Sequence, residues 1–242
     1  TFLTVGDPNL EVSEKAIYTM QEEGVDLVEL GVPFSDPAAD GPVIQRADER
    51  ALAQGVDIFK VFELVRKIRN NVEVPMVFLL YYNVMVQYGI EKFFKRCQET
   101  GVDGLIIPDL PYEESDEIKE YTEKYGVYQI SLVSPTSKDR IKNIAKDAKG
   151  FLYCISSLGV TGEKSSFVTN FDEFVGTIKK YTDVPACVGF GVSNGRQVKE
   201  LTKYFDGAIV GSAIVKSIAT GESVEERINN LREKIKDLKS GL

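Results

Sequence analysis

Short β-rich runs alternate with longer amphipathic stretches from one end of this chain to the other, and that rhythm limits its fold more than any other feature. The β-rich runs fall at residues 2–5, 27–30, 76–80, 104–107, 128–132, 151–155, 186–188 and 207–210. Helical spacing of apolar residues, three and four apart, marks 13–23, 58–68, 90–99, 114–124, 140–146 and 224–238. Most of the β runs are apolar on both faces, as parallel strands covered on both sides must be. Gly24-Val25-Asp26 and Gly101-Val102-Asp103 read as the turns that end a helix and open the next strand. Eight such units without a low-complexity linker predict one domain over residues 1–242, a single (β/α)8 barrel. An open doubly wound sheet fits less well: it usually has five or six strands, and no Gly-x-Gly-x-x-Gly follows the first run.

Composition narrows the chemistry. The chain has no histidine, so acid-base work falls to carboxylates, Tyr, Lys or Cys, and imidazole triads and zinc sites are excluded. The 29 basic and 37 acidic residues form no block of one sign, which argues against a nucleic-acid face or a polybasic membrane anchor. Cys97, Cys154 and Cys187 lie far apart in apolar or helical runs; they suggest neither disulfides nor a metal cluster, and a reducing cytoplasm is the simplest setting. No apolar run reaches the length of a membrane span.

Two groups of residues at predicted strand ends stand out. Glycine-bearing segments follow the late strands: 159–162 after the sixth, 189–193 after the seventh and 211–213 after the eighth. These glycines either make tight strand-to-helix turns or let backbone N–H groups approach an anion, with Gly211-Ser212 aiming a helix N-terminus at it. Barrels commonly bind phosphate between the last two loops, at the C-terminal ends of strands seven and eight, and two such segments in register favour the second reading. The other group begins with Glu29, a carboxylate in the apolar run Asp26-Leu27-Val28-Glu29-Leu30 near the end of the second strand. Such a group is costly unless paired or used. It is either a core ion pair or an acid whose raised pKa suits proton transfer near neutrality. Asp36 and Asp40 follow in a turn-rich loop before a helix that starts near Pro42. Asp36 reads as a loop or cap residue, and for Asp40 the residues alone do not decide.

The stretch from Glu29 to Pro42, Glu-Leu-Gly-Val-Pro-Phe-Ser-Asp-Pro-Ala-Ala-Asp-Gly-Pro, resembles the signature of the tryptophan synthase alpha subunit family. The resemblance continues in Thr4-Val5-Gly6-Asp7-Pro8, Tyr81-Tyr82-Asn83, Pro108-Asp109-Leu110-Pro111, Leu158-Gly159-Val160-Thr161-Gly162 and Gly189-Phe190-Gly191-Val192-Ser193. It implies reversible retro-aldol cleavage of indole-3-glycerol phosphate to indole and glyceraldehyde 3-phosphate. Glu29 would be the acid and base, and Asp40 would hold the indole N–H. By the same resemblance Gly162, Gly191, Gly211 and Ser212 would bind phosphate, and Phe2, Tyr81, Ile106, Tyr153 and Phe190 would line the indole pocket. Thr161 would sit in a lid. No metal or cofactor is implied in this chain; pyridoxal phosphate would belong to a partner beta subunit in an alpha2beta2 heterotetramer, met through Asp36, Pro37, Asn83 and Pro111. The family carries a helix ahead of its first strand, whereas this sequence opens on the strand itself, and Ser156-Ser157-Leu158 stands where many members have an arginine. A docking barrel without chemistry is disfavoured by the retained carboxylates, and other phosphate-binding barrel enzymes by strand ends that offer Glu29, Tyr81 and Asp109 rather than lysine or cysteine.

Overall fold

The apolar runs pair edge to edge, all in parallel, and the connections between them run through helices. A computed structural model describes residues 1–135, 137–155, 171–189 and 191–242. Five strand segments form one sheet in sequential order: β1 (Phe2–Thr4), β2 (Val28–Gly31), β3 (Met76–Leu79), β4 (Gly104–Ile106) and β5 (Tyr128–Gln129). Four more form a second: β6 (Ser131–Val133), β7 (Leu152–Ile155), β8 (Ala186–Gly189) and β9 (Gly207–Ala208). Backbone bonds join the two sheets at both edges. Ile130, between β5 and β6, donates its N–H to Leu105 O at 2.8 Å, and Ser131 is already in register with Leu152 of β7. At the other edge the Phe2 N–H reaches Val210 O at 3.0 Å, just beyond β9. Segments β5 and β6 are therefore one stave that changes partner at Ile130, and the sheet closes into an eight-stave (β/α)8 barrel, as the sequence predicts.

Helices α1 (Leu10–Glu22), α2 (Pro42–Ala53), α3 (Ile58–Ile68), α4 (Tyr82–Tyr88), α5 (Ile90–Thr100), α6 (Asp116–Tyr125) and α7 (Lys138–Asp147) surround the first part of the barrel. Helices α8 (Phe171–Ile178), α9 (Gly195–Leu201), α10 (Ser212–Ala219) and α11 (Val224–Lys239) surround the rest. Their starts follow the local chemistry. Asn9, Asp57 and Ser223 each accept a bond from the backbone N–H three residues on, satisfying a donor that the first helical turn leaves open. The two anticipated turns hold: Gly24 and Gly101 adopt φ of 72° and 82°, and the Asp103 carboxylate then accepts the Met76 N–H at 2.8 Å, tying β4 to β3. Three helices were not anticipated, and several expected ones shift their bounds. The short α4, α8 and α9 carry too few periods to register. Residues 114–124 begin with a 3-10 turn at Tyr112–Glu114 before α6 starts at Asp116.

Side chains alternate along each stave. Val28 and Leu30 face outward into a core shared with the helices, which also holds Leu3, Val5, Phe78, Leu105 and Cys154. The inward set is smaller, with Val77, Ile106, Ile130, Phe151 and Ile209 packed beside Leu27, Tyr153 and Cys187. Phe2, Ile44, Ala47 and Val215 form a third cluster where α2 and α10 meet β1. Glycine is required where rings lie flat on the strands: a Cβ on Gly189 would sit 2.5 Å from Tyr153 Cε1, and one on Gly31 would sit 2.5 Å from Phe2 Cζ.

Candidate active site

Alternation decides where Glu29 goes. With Val28 and Leu30 outward, Glu29 points into the barrel from β2, in register with Phe2 on one side and Val77 on the other. It is 1% exposed. Among the described residues no arginine or lysine pairs with it. Burial pushes its pKa up to about 7, against a weaker opposing pull from the Thr1 amino group. A carboxyl with that value gives and takes a proton with nearly equal ease at neutral pH.

The same burial has a price in stability, and its sign follows from the direction of the shift. A carboxyl whose folded pKa stands above its unfolded value contributes no penalty at pH 4 and a full one above pH 7, so stability drains away as pH rises between about 4.5 and 7. The penalty is about 3 kcal/mol at full ionisation. Glu29→Gln should remove it. Urea unfolding at pH 5 and pH 8 is expected to show the variant gaining on wild type at the higher pH by that order, and an equal difference at both would show that Glu29 ionises normally.

Asp40 is held from a different part of the chain. The Tyr81 hydroxyl, just past β3, donates to Asp40 Oδ2 at 2.7 Å and accepts the Ala39 N–H at 2.9 Å. The Tyr81 ring stacks on Phe34 with centroids 5.0 Å apart. One phenol thus fixes both ends of the loop after β2. Asp40 is half-buried, and desolvation raises its pKa while the Tyr81 bond works the other way. The Tyr81 hydroxyl in turn is pushed well above its usual range by burial and by the Asp40 charge, so it stays a donor.

The remaining anticipated residues fall into place unevenly. Ile106 and Tyr153 face the barrel interior, and burial together with the nearby Glu29 and Asp40 charges keeps the Tyr153 phenol protonated. Phe2 caps the interior beside Leu79, and its ring also passes close to Gly211. Gly191, with φ 75°, follows β8, and Gly211 caps α10 without any side chain bonding the first-turn N–H groups. Gly162, Thr161 and Phe190 lie outside the described residues. Asp36, Asn83 and Pro111 are exposed and Pro37 is partly so, on the segments that follow β2, β3 and β4, with Asn83 in the first turn of α4. The last two segments are stitched together: Asp109 Oδ1 accepts the Tyr82 N–H at 2.8 Å, and the Tyr82 hydroxyl donates to Glu117 Oε2 at 2.7 Å.

Sequence reasoning missed two features here. Arg50 on α2 grips Asp7 in a bidentate pair, 2.7 Å from Nε to Oδ1 and 2.9 Å from Nη2 to Oδ2, which anchors the loop after β1. Asp48, also on α2, is buried beside the site. The signal for Asp48 was available, because it falls on the helix face defined by Ile44, Ala47 and Ala51.

Comparison with known proteins sets this geometry in a lineage. The family model described as tryptophan synthase alpha chain matches residues 1–242. The chain belongs to the tryptophan synthase alpha chain family. The tryptophan synthase alpha chain of Alkaliphilus metalliredigens is 46% identical to it over 243 residues, covering 99% of this chain and 91% of the relative. The solved alpha subunit from Campylobacter jejuni is 40% identical, with a TM-score of 0.87 over 98% of this chain and 93% of that one. A chain of the Mycobacterium tuberculosis tryptophan synthase superposes with a TM-score of 0.88 at 34% identity, covering 99% of this chain and 90% of that one. The tryptophan synthase alpha chain is a lyase that cleaves indole-3-glycerol phosphate in tryptophan biosynthesis. Among the described residues, no helix is long and apolar enough to cross a membrane, and no group of three or more His, Cys, Asp or Glu could hold a metal ion.

Proposed function

We propose that Glu29 carries both proton transfers of the cleavage and that Asp40 stabilises the charge that develops between them. The observation that carries this reading is a carboxyl buried in the barrel, its pKa pushed up to about 7, with no arginine or lysine paired to it among the described residues. In the first step protonated Glu29 delivers its proton to the indole carbon that bears the side chain. The ring becomes a cation, with charge shared by its nitrogen, and the Asp40 carboxylate accepts the indole N–H and lowers the energy of that cation. Glu29, now ionised, takes the proton from the adjacent side-chain hydroxyl. As that O–H electron pair forms the aldehyde C=O, the C–C bond breaks and its electrons return to the ring. Indole and glyceraldehyde 3-phosphate leave, and Glu29 is protonated again.

The phosphate end belongs to the second sheet. Gly191, Gly211 and Ser212, together with Gly162, offer backbone N–H groups and an uncapped helix start to the dianion. Phe2, Tyr81, Ile106, Tyr153 and Phe190 enclose the indole, and Thr161 belongs to the segment that closes over it. The steps as written consume no cofactor in this chain. Pyridoxal phosphate serves the beta subunit, which takes up the indole in an alpha2beta2 assembly and meets this chain through Asp36, Pro37, Asn83 and Pro111. The test is direct: the purified chain is incubated with indole-3-glycerol phosphate, alone and with a beta subunit, and indole is measured. Release of indole, faster in the complex, is expected. A chain that stimulates the beta subunit but never yields indole would make it a docking module.

A further inference from the structure

The inward stripe of α2 is Ile44, Ala47, Asp48 and Ala51, a regular helical face with one carboxyl in it. Asp48 is only 4% exposed. The Thr4 hydroxyl, from β1, lies against it; Thr4 is 1% exposed, and its hydroxyl has no hydrogen-bond partner of normal geometry among the described residues. The charges acting on Asp48 are Asp40, from the loop after β2, and Asp7, from the loop after β1, both of its own sign. Arg50, two residues along α2, is already spent on Asp7. Lys216 on α10 lies in the groove between α10 and α2 with Arg46 and Arg50, and among the described residues no cation pairs with Asp48. Tyr81, from the end of β3, faces both Asp40 and Asp48 but gives its hydroxyl proton to Asp40.

We infer that Asp48 is a positioning residue for the cleavage: by keeping its proton in this buried stripe, with no cation among the described residues paired to it, it leaves Asp40 as the single negative charge beside Tyr81, where the indole N–H is received. This rests on the role given to Asp40 above. Two neighbouring carboxylates, one of them buried, repel, so ionisation of Asp48 weakens the hold on Asp40. Burial first, and the Asp40 charge second, push Asp48 up to about 8 against a weaker opposing pull from the Thr4 hydroxyl, so most of it is protonated at pH 7. The pair titrates as a coupled unit.

The test uses the full chain with 13C-labelled aspartate, titrated by NMR without substrate as wild type, Asp48→Asn and Asp40→Asn. A carboxyl step above neutrality is expected in wild type, absent in Asp48→Asn, and lowered by about one pH unit in Asp40→Asn. Turnover measured from pH 7 to pH 9 should fall about tenfold more in wild type than in Asp48→Asn, since only wild type can form the second carboxylate. Asp48→Ser serves the same comparison if the asparagine variant does not fold. An Asp48 step in the ordinary carboxylate range, or one indifferent to Asp40→Asn, overturns the inference, as does an alkaline fall identical in wild type and Asp48→Asn. Full turnover by Asp40→Asn would instead defeat the reading of Asp40, and the substrate-free titration tells the two failures apart.

Discussion

Glu29→Gln is expected to cut indole release from indole-3-glycerol phosphate by about 10²- to 10⁴-fold, towards the upper end because one side chain performs both proton transfers. The amide has nearly the same shape and neither gives nor takes a proton. The loss should come with an intact fold, since the substitution removes a buried ionisable group and leaves Val28 and Leu30 in their outward core. Circular dichroism and steady-state turnover on the same preparation check both halves of the expectation. The combination of a dead enzyme and a chain more stable at pH 8 is hard to obtain from a misfolded variant. Turnover within a few fold of wild type would sink the mechanism.

Asp40→Asn comes next, with an expected fall of about 10²- to 10³-fold. Its signature differs from that of Glu29. The negative charge matters most when the ring is cationic, so the loss should appear in kcat more than in KM. Because the Tyr81 hydroxyl donates to Oδ2, an asparagine keeps the bond only by turning its carbonyl towards the phenol. A variant in which KM rises and kcat is untouched would recast Asp40 as a binding group for the neutral substrate.

The sequence disclosed the parts of this site that depend on local pattern. A carboxyl in an apolar strand end marked Glu29, and the missing histidine made it a natural acid, while its inward direction follows from the strand packing. Asp40 carried no such mark. Its partner Tyr81 is 41 residues away, and a contact of that range is written in the barrel's closure, not in any window of the chain. Resemblance to the family supplied Asp40 where pattern could not. Asp48 was legible in principle, as a charge on an apolar helical stripe, but the helix was recognised only at its start near Pro42. Helices α4, α8 and α9 escaped for a physical reason, since seven or eight residues hold about two turns and owe their form to packing on the barrel. The break at Ile130 has no sequence mark at all; it arises where one strand must serve neighbours on both sides.

That break divides more than hydrogen bonds. Everything proposed to move protons or hold the ring nitrogen, Glu29, Asp40, Tyr81 and Asp48, is built before Ile130, while Gly191, Gly211 and Ser212 come after it. The two stretches of chain are therefore given different work in the proposed mechanism: one acts on the bond being broken, the other holds the handle by which the molecule is carried. A change in either half reaches the other through the backbone at Ile130 and the Phe2–Val210 edge, and through the cluster of Phe2, Ile44, Ala47 and Val215 that packs α2 of one half on α10 of the other.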